Sequence, residues 1–428
     1  MAVIGGSQGT IAAELERVEP KIPILFERDD VFYSKIEKRP GEIVSEISMR
    51  MPLEIHPSAD VAQFTSDGGD LGTGDMPDYD KAEINTVELR IAMQWTSRRK
   101  YATDSARKAV LNTFRRDMAS TMKEFRRVND SLCMTAGNGV MGVITTVSNT
   151  GGVGGIDTYT LTTDGFGARL LRYKQKINIY DSTLTTLRNP TGLAGMPKII
   201  YVDGPNKTIQ VNNSSNNVVP GDLIVIGGEP TQVAPPSSLL GVPYHANNSS
   251  LGTWLGFNRA TTPEIRASRV QAGGVLALPM ARLAINKIGD RIGINHGKKF
   301  SAAMHPCQKQ QYEELGFEAS IINKEAKEEA LDLYFSDNMR MAGAPVWCSF
   351  SWDKTRIDFI DYDIWGRAEF YPPGWYKDEN GLKYFVMRGV SGGVATSNLA
   401  YITAAWNLYP NNPAGISYID TLTVPSGY

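Results

Sequence analysis

Two stretches of strict alternation stand out near the start of the chain. Ile47, Met49, Met51 and Leu53 alternate with Ser48, Arg50 and Pro52; Val87, Leu89, Ile91, Met93 and Trp95 alternate with Glu88, Arg90 and Gln94. A period of two puts one face of a strand on a core and the other in water, so both read as half-buried strands forming the two sides of one arm. About thirty residues, Glu54 to Thr86, lie between them, far too many for a tight turn. The period then changes. Leu111, Phe114, Met118, Met122, Phe125, Asn129 and Leu132 recur at intervals of three and four, which predicts an amphipathic helix over 104–134, capped by Thr103 or Asp104, with one polar interruption at Asn129.

Glycines break the pattern over 137–155. From 156 to 235 short strand-like runs (Thr158–Leu161, Gln175–Tyr180, Ile199–Asp203, Thr208–Val211 and Leu223–Ile226) are separated by turn signals such as Asp203-Gly204-Pro205 and Pro220-Gly221. This reads as an all-β insert, a small barrel or compact sheet. Residues 236–345 are mixed. Pro279 opens a helix carrying Met280, Leu283, Ile285, Ile288 and Ile292, Pro306 opens another through Tyr312 and Leu315, and Lys324–Glu329 reads as an exposed helical stretch. Residues 346–428 are mainly strands: Val346–Phe350, Thr355–Ile360, Leu382–Arg388 and Leu399–Leu408. At the other end, 10–42 has too few apolar positions for a domain. A short helix over Ile11–Val18 is followed by an extended course forced by Pro20 and Pro23, an arm that lies across something else.

Charge changes the picture locally, not globally. The 428 residues carry 44 Lys plus Arg and 46 Asp plus Glu, a net charge of −2, which argues against a surface devoted to nucleic acid or acidic lipid. Yet Ser58–Glu83 holds seven acids and one base, and Arg98–Arg127 holds ten bases and three acids. An acidic, glycine-rich arm tip thus precedes a basic helix. An isolated two-stranded arm is marginally stable and needs a surface. The expectation is contact between chains, with Asp67, Asp70, Asp75 and Asp78 on one side and Arg115, Arg116, Arg126 and Arg127 on the other.

Catalytic signatures are sparse. Gly137-x-Gly139-x-x-Gly142 follows a helix and precedes β-prone residues, the reverse of a dinucleotide site, so it reads as a helix stop and turn. Gly5-x-Ser7-x-Gly9 has no strand before it to make a nucleophile elbow. The Asp67–Asp80 acids do not fit the twelve-residue calcium loop. Three widely spaced cysteines make no disulfide framework, four histidines form no close ligand pair, and neither a signal peptide nor a membrane-length apolar run is visible. No cofactor is expected. Carboxylates are plentiful but none is singled out as a pair, so a two-carboxylate carbohydrate-active enzyme stays open as an alternative.

The order of arm, acidic-tipped β-arm, basic helix, mixed region and strand-rich end resembles the major capsid protein of tailed bacteriophages, with the Hong Kong 97-type fold. Gly252-Thr-Trp254-Leu-Gly256-Phe-Asn258-Arg259, Leu283-Ala-Ile-Asn286-Lys-Ile288, Met341-Ala-Gly343-Ala-Pro345-Val346 and Asp353-Lys-Thr-Arg-Ile-Asp-Phe359 carry the likeness in that order. The resemblance implies an α+β fold: an N-terminal arm (1–42), an E-loop (43–97), a spine helix and the start of a peripheral domain (98–155), a β-rich insertion (156–235), an axial domain (236–345) and return strands of the peripheral and axial domains (346–428). It implies a non-enzymatic subunit that assembles with many copies of itself, as hexamers and pentamers, into an icosahedral shell around double-stranded DNA. Implied partners are a separate scaffolding protein, a portal, possible decoration proteins and, by non-specific contact, the packaged DNA, with no membrane. The implied location is the virion capsid, assembled in the bacterial host cytoplasm. An encapsulin-like compartment shell is the alternative with the same fold.

Overall fold

The computed structural model describes residues 31–36, 48–58, 61, 74, 76–96, 113–149, 155–162, 167–188, 196–212, 217–227, 238–293, 300–322, 339–377, 381–383, 385–388 and 394–427. The expected helix at Ile11–Val18, the extended course after Pro20, the caps Thr103 and Asp104, and the stretch Lys324–Glu329 lie outside them. Strands in chain order are β1 (Ser48–His56), β2 (Asp78–Asn85), β3 (Val87–Thr96), β4 (Val140–Asn149), β5 (Ile156–Leu161), β6 (Ile177–Tyr180), β7 (Lys198–Asp203), β8 (Thr208–Asn212), β9 (Leu223–Ile226) and β10 (Thr253–Trp254). They continue as β11 (Phe257–Asn258), β12 (Ser268–Gly274), β13 (Ser301–Met304), β14 (Arg340–Met341), β15 (Ala344–Cys348), β16 (Ile357–Ile360), β17 (Trp365–Trp375), β18 (Phe385–Arg388), β19 (Val394–Pro410) and β20 (Ser417–Leu422). Helices are α1 (Val31–Lys35), α2 (Thr113–Leu132), α3 (Val242–His245), α4 (Leu278–Ile292) and α5 (Pro306–Ile322).

The chain divides into two units. One comprises Met1–Tyr33, Val87–Asp130 and Glu369–Trp406; the other comprises Ser34–Thr86, Ser131–Ala368 and Asn407–Tyr428.

The first unit is organised around β19. It pairs with β17 and β18, and antiparallel with β3, in a four-stranded sheet. The register sets Met93 opposite Ala400, Ile91 opposite Ile402 and Leu89 opposite Ala404. The alternation read from Val87 to Trp95 is therefore real, with Val87, Trp95, Ala400, Ile402 and Ala404 all buried. Helix α2 contributes buried Phe125, and Thr121 Oγ1 donates to Asp117 O and to Met93 Sδ. Asn129, the one polar break in its apolar stripe, is fully buried: its Nδ2 donates to Phe125 O at 2.9 Å, and its Oδ1 accepts the indole N–H of Trp406, also at 2.9 Å.

The second unit holds two six-stranded sheets and the arm. The first sheet runs β6-β9-β4-β5-β8-β7, antiparallel throughout. Its ends meet: Lys176 bridges Lys198, Ile199 N donates to Gln175 O, and Ile177 N donates to Pro197 O. The sheet is thereby closed into a small barrel around Ile144, Tyr159, Ile177, Ile209, Val211 and Ile224. The segment read as a glycine-rich break supplies its central strand. Gly137 and Gly139 turn the chain at φ of 84° and 68°, and β-branched Val140, Val143, Ile144, Thr145, Thr146 and Val147 then build β4.

The other sheet is mixed, in the order β12-β20-β16-β13-β15-β14, with β12/β20 and β13/β15 parallel. It forms one core with Ala281, Ala284 and Ile288 of α4, and Tyr312 and Leu315 of α5 pack against that core. Prolines sit in the first turns of both helices, as expected, and Gly293 ends α4. No helix among the described residues is long and apolar enough to cross a membrane.

The arm differs from its expected pairing. β1 pairs antiparallel with β2, not with Val87–Trp95, and β3 belongs to the sheet of the first unit. The sequence of β2, DYDKAEIN, has only Ala82 and Ile84 as inward apolar residues, and its exposed end shows no alternation to read. Nor is the arm base without a core. Met49, Ala82 and Ile84 join Trp254, Leu255, Phe257, Ile265, Ala368 and Tyr409 in one buried cluster, with Met51, Leu53 and Ile55 against it.

Candidate subunit-contact surfaces

The arm base is fixed by a short relay of hydrogen bonds. Glu83 N donates to Leu255 O, which docks β2 on the β10–β11 hairpin. Trp254 Nε1 donates to His245 Nδ1 at 2.9 Å, so that nitrogen carries no proton, and His245 Nε2–H donates to Leu408 O at 2.9 Å. His245 is fully buried, and burial, with a smaller contribution from the Arg259 charge, pushes its pKa down to about 3. It is a neutral structural histidine that orients Trp254. Arg259 caps the same turn, donating to Asn247 O and Tyr244 O.

Beyond its base, the arm presents an outward face that the sequence pattern gives only in part. Arg50 stands opposite Glu83 and Pro52 opposite Lys81, and all four are exposed. Tyr79 is 68% exposed and Met76, just before β2, 84%. Both large side chains stand out in water at the outer end of the arm.

Of the residues expected in inter-chain contact, Asp67, Asp70 and Asp75 lie outside the described residues. Asp78 opens β2, exposed and opposite His56. Arg115 and Arg116 belong to the first turns of α2, and Arg126 is exposed in its last part. Arg127 is a correction. It is 1% exposed, and its Nε and Nη2 both donate to Glu124 Oε1, at 3.0 and 2.8 Å. A guanidinium taken out of water needs a carboxylate beside it, and the residue one turn back supplies it. Arg127 is thus engaged within its own helix and does not present a cation to a neighbour. The Glu124-x-x-Arg127 spacing was the available sign.

Among the described residues, no group of three or more His, Cys, Asp and Glu side chains is placed to hold a metal ion. Cys133 and Cys307 are buried, and burial pushes the Cys348 thiol up to about 11, away from the thiolate form at neutral pH. Arg356 and Asp358 form a buried pair at 2.7 Å, with Trp352 Nε1 donating to Asp358 and the Tyr418 ring 4.0 Å from the guanidinium; every charge there has a structural partner.

Comparison of the whole fold with solved structures finds a likeness along nearly the full chain. A chain of the cyanophage A-1(L) capsid asymmetric unit superposes with a TM-score of 0.56 at 12% identity, covering 95% of this chain and 97% of that one. Chains from the capsid of the native GTA particle (TM-score 0.46, 12% identity, 97% and 98% covered) and from the bacteriophage PhiM1 mature capsid (0.46, 8%, 96% and 93%) also match. No family sequence model and no curated protein matches the chain. The chain has the fold of the cyanophage A-1(L) capsid chain.

Proposed function

We propose that this protein is the major shell-forming subunit of a tailed-phage capsid of the Hong Kong 97 type, assembling as hexamers and pentamers around double-stranded DNA. The observation that carries the reading is the match to the cyanophage capsid chain over almost the entire length of both chains. The surfaces support it. The arm leaves exposed Tyr79 and Met76 beyond a well-packed base, as a subunit held by contacts with copies of itself requires. In this reading β1 and β2 are the base of the E-loop, α2 is the spine helix, the sheet with α4 and α5 is the axial domain, and the β4–β9 barrel is an insertion that stabilises or decorates the shell. The acidic arm tip, with Asp67, Asp70, Asp75 and Asp78, faces bases of a neighbouring copy, and Arg115, Arg116 and Arg126 are those the helix offers. A scaffolding protein, a portal and possible decoration proteins complete the assembly, which takes place in the bacterial cytoplasm. Electron microscopy of the purified chain, produced alone and with its scaffold, is the test. Closed particles of uniform diameter are expected; a chain that stays monomeric under both conditions overturns the reading.

A further inference from the structure

Helix α4 is packed into the core of the mixed sheet, whereas β2 and the β10–β11 hairpin belong to the separate buried cluster of the arm base. Three arginines run between the two. Arg291, exposed in the last turn of α4, donates through Nη1 to Arg266 O, and through Nη2 to Pro263 O at 2.8 Å and Glu264 O at 3.3 Å. Those carbonyls belong to the short 3₁₀ turn Pro263–Ile265 and to the residue that ends it. Arg266 in its turn donates through Nε to Arg259 O at 2.6 Å and through Nη2 to Ala260 O at 3.3 Å. Arg259, which is buried, donates to Tyr244 O and Asn247 O. The Tyr244 hydroxyl accepts the Leu255 N–H at 3.3 Å, and Leu255 O accepts the N–H of Glu83 in β2, also at 3.3 Å. The chain of bonds from α4 to the arm is unbroken, and Arg291 and Arg266 each hold the backbone of the next arginine along it.

The hydrogen bonds of these guanidiniums all end on backbone carbonyls, which carry only partial charge. Glu264 attracts Arg291 at longer range. Burial lowers the pKa of both Arg259 and Arg291, and the charge of Arg266 lowers both further. Like charges held in a row work against the contacts that hold them, so the row is held in place without being locked. We propose that Arg291, Arg266 and Arg259 form a coupling relay through which the exposed C-terminal turn of α4 sets how firmly the arm base is docked. Releasing Arg291 loosens the Pro263–Arg266 turn, then the turn held by Arg259, then the bond between Leu255 and Glu83. In the shell-subunit reading, on which this consequence alone rests, a contact made at the end of α4 is felt at the base of the arm. A polar relay suits this work better than apolar packing, because its links have discrete made and broken states.

The test is hydrogen exchange of the full-length, unassembled chain, read by mass spectrometry on its peptides. Arg291→Gln keeps a polar side chain at an exposed position but cannot span the three carbonyls. Exchange of the peptide covering Asp78–Asn85 is expected to speed up about threefold or more, with the β4–β9 barrel at its wild-type rate. Arg269→Gln is the control. It removes an arginine of β12 that pairs with Asp420 outside the relay, and it should leave Asp78–Asn85 unchanged. The order of the links gives a second measurement: R266Q/R291Q should speed exchange of Asp78–Asn85 no more than R266Q alone, because the relay is already cut. R291Q, at an exposed position, keeps the test decisive if R266Q misfolds. Four results overturn the inference: faster exchange confined to 260–292 in R291Q, faster exchange throughout the chain including the barrel, an equal effect of R269Q on Asp78–Asn85, or additive effects of R266Q and R291Q. The measurement needs no particles. A relay that fails leaves the shell reading standing, and a chain that forms no particles overturns that reading with the relay still measurable.

Discussion

The indole N–H of Trp406 donates to Oδ1 of Asn129 at 2.9 Å, with both side chains buried. The contact ties strand β19 to helix α2 across 277 residues of sequence. It also explains why a polar residue interrupts an otherwise apolar stripe: a buried indole N–H without an acceptor is costly, and Asn at this turn supplies one.

Asn129→Leu is therefore expected to destabilise the protein by about 1–3 kcal/mol despite its greater hydrophobicity, because it strands the Trp406 donor. Trp406→Phe removes that donor, so the double variant should lose less than the sum of the singles. Urea unfolding midpoints of the four proteins make the cycle. Strict additivity would show that the two side chains do not depend on each other.

How much of this was legible beforehand depends on where the apolar pattern is decided. The strands of the barrel and Val87–Trp95 were readable because alternation survives where one face is buried, and Pro279 and Pro306 mark helix starts by their own covalent geometry. β2 was not readable: only Ala82 and Ile84 of its eight residues touch the core, and pairing with β1 is decided by tertiary contact with Trp254 and Phe257. β4 was obscured by its neighbours, since Gly137, Gly139 and Gly142 read as a break although the first two only turn the chain into the strand. At the site level the acidic tip and basic helix were visible as charge runs. The engagement of Arg127 with Glu124 was not, because charge counts carry no burial and no distance.

The second prediction concerns pH. In the folded chain His245 stays neutral down to about pH 3, against an ordinary value of 6.5. Between those values the unfolded chain binds a proton that the folded chain refuses, so acid favours unfolding and stability falls as pH drops from 6.5 toward 3. Protonation would also turn Nδ1 from acceptor to donor, pointing it at the Trp254 N–H. The full effect is on the order of 5 kcal/mol. His245→Gln does not titrate, so the slope of stability against pH over this window should decrease by close to one proton. Equal slopes in the two proteins would refute the assignment.

A third prediction is steric. A Cβ added at Gly241 would lie 2.1 Å from Thr135 O and 2.5 Å from Cys133 O, both backbone atoms that cannot swing away. The same turn is closed by Val242 N donating to Cys133 O at 2.7 Å. Gly241→Ala should cost more than about 3 kcal/mol and reduce soluble yield sharply. Gly274→Ala, where an added Cβ meets nothing within 4 Å, is the control and should be close to neutral. Similar thermal midpoints for the two variants would contradict the packing around Gly241.

The last prediction sets the limits of the barrel. Strand β4 lies at its centre: Val140, Gly142 and Val143 pair with β9, while Ile144 through Asn149 pair with β5. A fragment of residues 156–235 contains all the other strands but lacks the one that joins β6–β9 to β5–β8–β7. It also loses the buried side chains of Met141 and Ile144, each contributing roughly 1.5–3 kcal/mol of burial, and exposes two strand edges inside what should be a closed sheet. The bridge Lys176–Lys198 and its neighbouring backbone bonds cannot compensate, because they close the opposite side of the barrel. The fragment 156–235 should therefore be unfolded or aggregated. One starting at Asn138 and ending at Gly227, with β4 included, should fold, with a cooperative thermal transition by circular dichroism and dispersed amide resonances. If the shorter fragment melts cooperatively as well, β4 is an accessory strand and the barrel's core is complete without it; if neither folds, the barrel depends on the rest of its unit and is not an autonomous insertion.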